Sequence, residues 1–204
     1  MSSEKRAAAV SRTTSESSVE VRVTIDGTGA ADVSTGIGFL DHMLVSFARH
    51  GLFDLEVKAR GDVHVDSHHT AEDVAITLGR AFASALGERA GIVRMAHSYA
   101  PLDEALARAV VDAGGRGYAV FAGRFASPMI GGLDADLIRH FVESFALEGR
   151  LNVHVDLLRG LNAHHQAEAA VKALARALDA ATRIDARLGG RIPSAKGVID
   201  QGHV

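Results

Sequence analysis

Two pentapeptides carry the most pointed chemistry in this chain: His68-His69-Thr70-Ala71-Glu72 and His164-His165-Gln166-Ala167-Glu168. Each is a histidine pair followed three residues later by a glutamate, and each opens a stretch with helical periodicity. Residues four apart share a helix face, so His68 can share a metal ion with Glu72, and His164 with Glu168. Adjacent helical residues diverge by about 100°, so His69 and His165 point elsewhere and serve a different ion. If the two halves of the chain, or neighbouring subunits, face one another, the simplest completion is crosswise: His68 and Glu72 with His165, and His164 and Glu168 with His69. His42 and His140, aligned with each other in two further helical stretches, then give each ion one more imidazole. Three imidazoles and a carboxylate leave open positions on an octahedral ion, which suits Mn(II), Fe(II) or Co(II) better than a closed structural zinc site.

Basic residues form a second set. Arg94 follows the first pentapeptide's helix, Arg116 lies in Gly114-Gly115-Arg116-Gly117, Lys172 stands four residues after Glu168, and Lys196 belongs to Pro193-Ser194-Ala195-Lys196-Gly197. Singly, each reads as a solvated charge. Beside metal ligands they fit a phosphate dianion, with Arg giving forked hydrogen bonds and Ser194 and nearby backbone N–H groups adding donors. His64, His154 and His203 have no aligned partner and read as surface residues.

The elements that must hold these groups repeat. Val19 to Ile25 alternates as a half-buried strand, closed by Asp26-Gly27-Thr28-Gly29. Phe39 to His50 reads as a helix, Leu52 to Lys58 as a strand, and a helix with Asp66 as its N-cap runs from His68 to about Leu86 with Ala75, Leu78, Gly79 and Phe82 in one stripe. The order returns from Leu137: Arg139 to Phe145 lies over Asp41 to Phe47, Leu151, Val153 and Val155 over Phe53, Leu55 and Val57, and Asn162 takes the N-cap place. His42 and His140 are 98 residues apart and His68 and His164 are 96 apart, so a connecting loop is two residues shorter in the second copy. This is an internal duplication. Between the copies a hairpin is expected, with Val110-Val111 and Tyr118 to Phe121 flanking the glycine-rich bend. Residues 1–11 read as a mobile N-terminal arm, 12–96 as the first repeat half and 97–204 as the second, together one compact catalytic unit. Strands and helices mix within each half, which argues for an α+β fold with a mixed sheet packed against helices.

Bulk properties narrow the classes. The chain has 204 residues, 47% hydrophobic and 23% charged, with a formal charge of −3, so it can bury a substantial core and shows no polybasic footprint for nucleic acid. Cysteine is absent, which excludes thiolate sites and disulfides. No apolar run reaches the length of a membrane span and no signal-peptide core opens the chain, so the expected compartment is the cytoplasm.

Gly38-Phe39-Leu40-Asp41-His42-Met43-Leu44, Asp66-Ser67-His68-His69-Thr70-Ala71-Glu72-Asp73, Asn162 to Glu168, and Pro193 to Gly197 together resemble the imidazoleglycerol-phosphate dehydratases of histidine biosynthesis, over nearly the whole chain from Arg12. The resemblance implies removal of water from D-erythro-imidazole glycerol phosphate to give imidazole acetol phosphate. It also implies two duplicated halves of the ribosomal protein S5 domain 2-like fold, two Mn(II) per active site (other divalent N/O-type metals being possible), and a homo-oligomer of 24 subunits with active sites between them. Carried over by position, the first metal falls to His42, His69, His164 and Glu168 and the second to His68, Glu72, His140 and His165. The phosphate contacts fall to Arg94, Arg116, Lys172, Ser194, Ala195 and Lys196, and further substrate contacts to Glu16, His50 and the ligands His42, His68, Glu72 and His164. The expected route has metals on the ring nitrogens forming an imidazolate that expels the C3 hydroxyl through a diazafulvene-like intermediate. Glu16 is the expected proton carrier, with Glu72 and Glu168 acting as catalytic ligands. Two rivals remain: a two-metal phosphoesterase, which usually bridges its ions with carboxylates, and a metal-storage cage, which favours Glu-x-x-His in helical bundles.

Overall fold

The structure is a computed structural model that describes residues 5–199. Two four-stranded mixed sheets enclose a layer of four helices. The first half contains β1 (Ala7–Thr13), β2 (Ser17–Thr24), β3 (Ala31–Ser34), α1 (Gly38–Gly51), β4 (Asp54–Gly61) and α2 (His68–Leu86). The second contains β5 (Met95–Leu102), β6 (Ala105–Asp112), β7 (Tyr118–Ala122), a small hairpin of β8 (Met129–Ile130) and β9 (Leu133–Asp134), α3 (Ala135–Glu148), β10 (Asn152–Arg159) and α4 (Ala163–Thr182). Strand order is β1-β2-β4-β3 in one sheet and β5-β6-β10-β7 in the other. In each sheet only the last pair is parallel. The halves therefore share one topology, as the repeat in the sequence requires.

Local chemistry explains the elements. In β2, Val19, Val21 and Val23 are buried while Ser18, Glu20 and Arg22 face out, a period of two that fixes the sheet's inner face. The helices put their apolar stripes on each other: α2 packs on β1 and β2 and α4 on β5 and β6, while α1 meets α4 and α2 meets α3. Every helix pair thus joins one half to the other. At the centre Phe47 and its repeat counterpart Phe145 stand with ring centroids 5.9 Å apart, and Phe82 lies 5.7 Å from Phe145 and 5.2 Å from Phe53. These rings meet edge to face, the arrangement that the aromatic quadrupole favours.

Four expectations are corrected. Ala7 to Ser11 is not an arm; it forms most of β1, paired in register with β2 from Ala7↔Thr24 to Thr13↔Ser18. Its alanines and polar residues are half exposed at a sheet edge, so the apolar alternation that marks β2 is muted. Leu52 is not in β4 but ends α1 in the left-handed conformation at φ 57. Tyr118 to Phe121 does not form a hairpin with Val110-Val111: β7 runs parallel to β10, which lies between β7 and β6. Asp66 is not the formal N-cap of α2; Ser67 holds that place without a side-chain bond, and Asp66 Oδ1 accepts from the His68 N–H at 3.0 Å. Among the described residues no helix is long and apolar enough to cross a membrane.

Candidate metal centre and its surroundings

The Nε2 atoms of His42 on α1 and His164 on α4 stand 3.1 and 2.9 Å from Oε1 of Glu168. The matching cluster joins His68 and Glu72 on α2 to His140 on α3, with His140 Nε2 3.0 Å from Glu72 Oε1 and the two imidazoles stacked at 4.9 Å. In each triad the candidate donor atoms lie within 4.8 Å of one another. Asn162 caps α4 as its sequence suggested, accepting from the His164 N–H at 2.9 Å, and so fixes the helix at its first histidine. Each triad takes two donors from one half and one from the other, because α1 packs on α4 and α2 on α3. Within one chain the halves thus meet through His42 and His140, whereas the crosswise partners expected from helix geometry, His165 for His68 and Glu72 and His69 for His164 and Glu168, are not brought to the triads.

His69 and His165 are not part of either triad. His69 Nδ1 instead faces Asp62 Oδ2 at 3.0 Å, with Glu16 Oε2 at 3.7 Å. His165 Nδ1 faces Glu104 Oε2 at 2.8 Å. These partners raise the pKa of both histidines: the Asp62 hydrogen bond is the largest cause at His69 and the Glu104 bond at His165. The second residue of each pair diverges from the first, as helix geometry demands.

The triads differ electrically. Burial opposes the charge on Glu168, but hydrogen bonds from Lys172, His42 and His164 hold its pKa at about 2. Lys172 Nζ lies 2.6 Å from Glu168 Oε2, while the repeat counterpart of Lys172, beside the other triad, is the apolar Ile76. His50 has its pKa lowered by burial and by the charges of Lys172 and Arg176, which places it in the same basic surroundings.

The other expected phosphate contacts gather at a separate place. Arg94 takes the left-handed backbone (φ 76), unusual for a residue with a side chain. Its guanidinium forks onto Asp112 at 2.7 and 3.0 Å and donates to the Pro193 carbonyl at 2.8 Å. It also touches Gly114, where a Cβ would lie 2.8 Å from Nη2. Arg94, the bend carrying Arg116, and the loop of Ser194, Ala195 and Lys196 are thus neighbours, with Ser194 Oγ accepting from the Lys196 N–H at 3.2 Å. Arg94 N–H donates to the Ala181 carbonyl at the far end of α4 at 2.7 Å, nine residues beyond Lys172, whose ammonium is paired with Glu168. Like the residues expected to hold metal, those expected to contact phosphate are divided within one chain.

Glu16 occupies the turn between β1 and β2 and is half exposed. That turn is clamped to α2 by Asp73, which is buried and accepts from Ser17 Oγ at 2.5 Å, Arg12 Nε at 2.7 Å and Thr14 Oγ1 at 3.4 Å. Burial disfavours the Asp73 carboxylate, yet the Ser17 and Arg12 bonds leave its pKa below the usual value. Sequence reasoning missed Asp62, Asp73 and Glu104, all carboxylates without a spacing signature of their own. His64 and His154 are exposed surface residues; His203 lies outside the described residues.

The donor set of each triad, nitrogen and oxygen only and open to solvent at His42 and His164 (47% and 45% of the side chain exposed), fits a divalent cation with free coordination positions. Residues 35–178 match the family model described as imidazoleglycerol-phosphate dehydratase. The chain is 61% identical to the imidazoleglycerol-phosphate dehydratase of Chloroflexus aggregans over 197 residues, covering 97% of this chain and 96% of that one. It is 59% identical to that of a Roseiflexus species, covering 98% and 100%. Among solved structures, the enzyme of Staphylococcus aureus superposes with a TM-score of 0.80 at 34% identity over 88% of this chain and 99% of that one. That of Pyrococcus furiosus gives 0.79 at 34% identity, over 92% and 99%.

Proposed function

The chain belongs to the imidazoleglycerol-phosphate dehydratase family, a hydro-lyase family of histidine biosynthesis, and from that premise we propose that it holds two divalent cations, Mn(II) by preference, in sites completed by a neighbouring copy. The observation that carries this reading is the pair of three-donor clusters beside two histidines that neither cluster uses. His42, His164 and Glu168 would hold one ion and His68, Glu72 and His140 the other. His69 and His165 of adjoining subunits supply the fourth ligands in a 24-subunit assembly. Val65 (67% exposed) and Leu161 (85% exposed), repeat counterparts just ahead of the two pairs, give those contacts an apolar margin.

Bound there, the cations would supply Lewis acidity to the substrate's imidazole ring. The chain provides the rest. Glu16 takes the proton from C2, the carbon bonded to the ring-bearing C3, a general-base contribution of about 10²–10⁴ in rate. The C3 hydroxyl leaves with a proton as water, and the resulting enol tautomerises to imidazole acetol phosphate. Lys172 and His50 approach from the side of the first triad. Arg94, Arg116, Ser194, Ala195 and Lys196 offer the forked and backbone donors that a phosphate dianion takes. The split of these residues into two groups supports a pocket closed by more than one subunit.

The test is turnover of imidazole glycerol phosphate with and without added Mn(II), followed by ultraviolet detection of the acetol product and by a phosphate-release assay. Metal-dependent acetol formation is expected. Release of inorganic phosphate instead would move the protein to the phosphoesterases, and full turnover in chelator would remove the metal reading.

A further inference from the structure

Glu104 sits in the two-residue turn between β5 and β6, and the duplication assigns it a counterpart. Val21 pairs with Val57 in the first sheet, and Ala109 pairs with Val155 in the second. Since Val57 and Val155 are repeat equivalents, Val21 corresponds to Ala109, and counting back along each strand brings Glu16 onto Glu104. Each glutamate immediately precedes the second strand of its half, and each faces Nδ1 of the second histidine of its own pentapeptide. The distances differ: 2.8 Å from Glu104 to His165, but 3.7 Å from Glu16 to His69. In the first half the shorter contact belongs to Asp62, at 3.0 Å, whose backbone N–H donates to the Glu16 carbonyl at 3.2 Å.

We infer that Glu104 is a positioning residue for His165, that Asp62 does the same for His69, and that this division has freed Glu16, the repeat counterpart of Glu104, for proton transfer. A carboxylate accepting from Nδ1–H fixes the tautomer and ring orientation and leaves the Nε2 lone pair to face outward, the role such groups play behind metal-bound histidines. Glu104 is built to hold still while doing this. Its Oε1 accepts the Leu161 and Asn162 N–H groups at 2.9 and 2.8 Å, just ahead of the α4 N-terminus, and Oε2 takes His165. One side chain therefore ties the β5–β6 turn, the entry to α4 and the histidine ring into a single unit. Asp103 Oδ2, at 3.8 Å from His165 Nε2, is too far to hydrogen-bond and leaves that atom available.

This inference rests on the reading of His165 as a ligand to a neighbouring copy's metal, and the experiment separates the two. Full-length protein and its Glu104→Gln and His165→Ala variants are titrated with Mn(II), and free ion is followed by electron paramagnetic resonance. Solid-state nitrogen NMR of histidine-ring-labelled protein reports which ring nitrogen carries the proton, the His165 signals being those missing from His165→Ala. In Glu104→Gln the amide oxygen can keep the two backbone bonds while the amide N–H₂ faces Nδ1, so the ring proton is expected to move to Nε2. Mn(II) affinity should then fall about 10–100-fold. A merely structural role for Glu104 would not move that proton. Native Mn(II) affinity in Glu104→Gln, or a proton that stays on Nδ1, overturns the inference while His165→Ala still loses metal. Native affinity in His165→Ala overturns the ligand reading beneath it as well.

Discussion

Replacing Asp73 by Asn should loosen the turn that carries Glu16 without unfolding the protein. The Asp73 side chain is only 7% exposed and its partner Arg12 is 31% exposed, so the carboxylate's bonds are partly shielded from water. A hydrogen bond to a charged group contributes about 1.5–3 kcal/mol. The 2.5 Å bond from Ser17 belongs in that range, and the contact with half-shielded Arg12 adds less. Asn keeps one acceptor and forfeits the charge, so the turn should lose about 3 kcal/mol of its closing free energy. At 1.36 kcal/mol per decade this is roughly a hundredfold faster opening. Amide hydrogen exchange reads it directly at Glu16 and Ser17, whose N–H groups donate to Thr14 Oγ1 at 3.2 and 3.0 Å. Turnover should fall with the protection while Mn(II) content stays native. The pH dependence has a defined sign. The folded-state pKa of Asp73 is depressed, so its contribution is complete above the unfolded value of about 3.9 and is lost as pH falls from there through the folded pKa. In Asp73→Asn that acid-labile component should be missing. Unchanged exchange at Glu16 and Ser17 would refute the clamp; faster exchange with undiminished turnover would refute the catalytic place of Glu16.

Three other outcomes follow from the packing and the clusters. His140→Ala should bind one Mn(II) per chain in place of two, because only the triad of His68 and Glu72 loses a donor; two equivalents by elemental analysis would contradict the pairing of α2 with α3. Phe145→Ala removes the ring that Phe47 and Phe82 share and should cost about 3–5 kcal/mol in denaturant unfolding, with a loss under about 1 kcal/mol inconsistent with its burial. Gly79→Ala tests the close approach of α2 to α3, where a Cβ would stand 2.7 Å from the Phe145 carbonyl oxygen and 2.9 Å from the Gly149 nitrogen. Helix propensity favours Ala by about 1 kcal/mol, but overpacking against backbone costs about 1–3 kcal/mol, so a lower unfolding midpoint is expected and a higher one would show that the helices can part.

What could be read from the sequence was whatever repeats. The helices holding the histidines, the strand alternation, and the sharing of each site between the halves all left two copies to compare, and two copies of a weak signal make a strong one. Edge strand β1 left little trace because Ala7, Ala8 and Ala9 carry no apolar contrast. The β7 pairing was lost because the glycine-rich bend at Gly114 to Gly117 looks like a hairpin turn, whereas Tyr118 N–H donates to the Leu151 carbonyl and joins β10 instead. Glu104 was open to discovery through its equivalence with Glu16. The repeat was aligned only from the first helix onward, however, and the two hairpin turns differ in length. Asp62 and Asp73 act through contacts across 7 and 56 residues or more, which no local spacing encodes.

The crossing of the halves also sets a schedule. His42 meets Glu168 across 126 residues and Glu72 meets His140 across 68. A chain emerging from the ribosome with its first half complete displays three of the six triad donors, His42, His68 and Glu72, but can assemble neither triad, since His140, His164 and Glu168 are still unmade. Contacts of such sequence separation close late in folding. If the triads hold cations as proposed, capture at His68, Glu72 and His140 waits for α3, and capture at His42, His164 and Glu168 waits for α4.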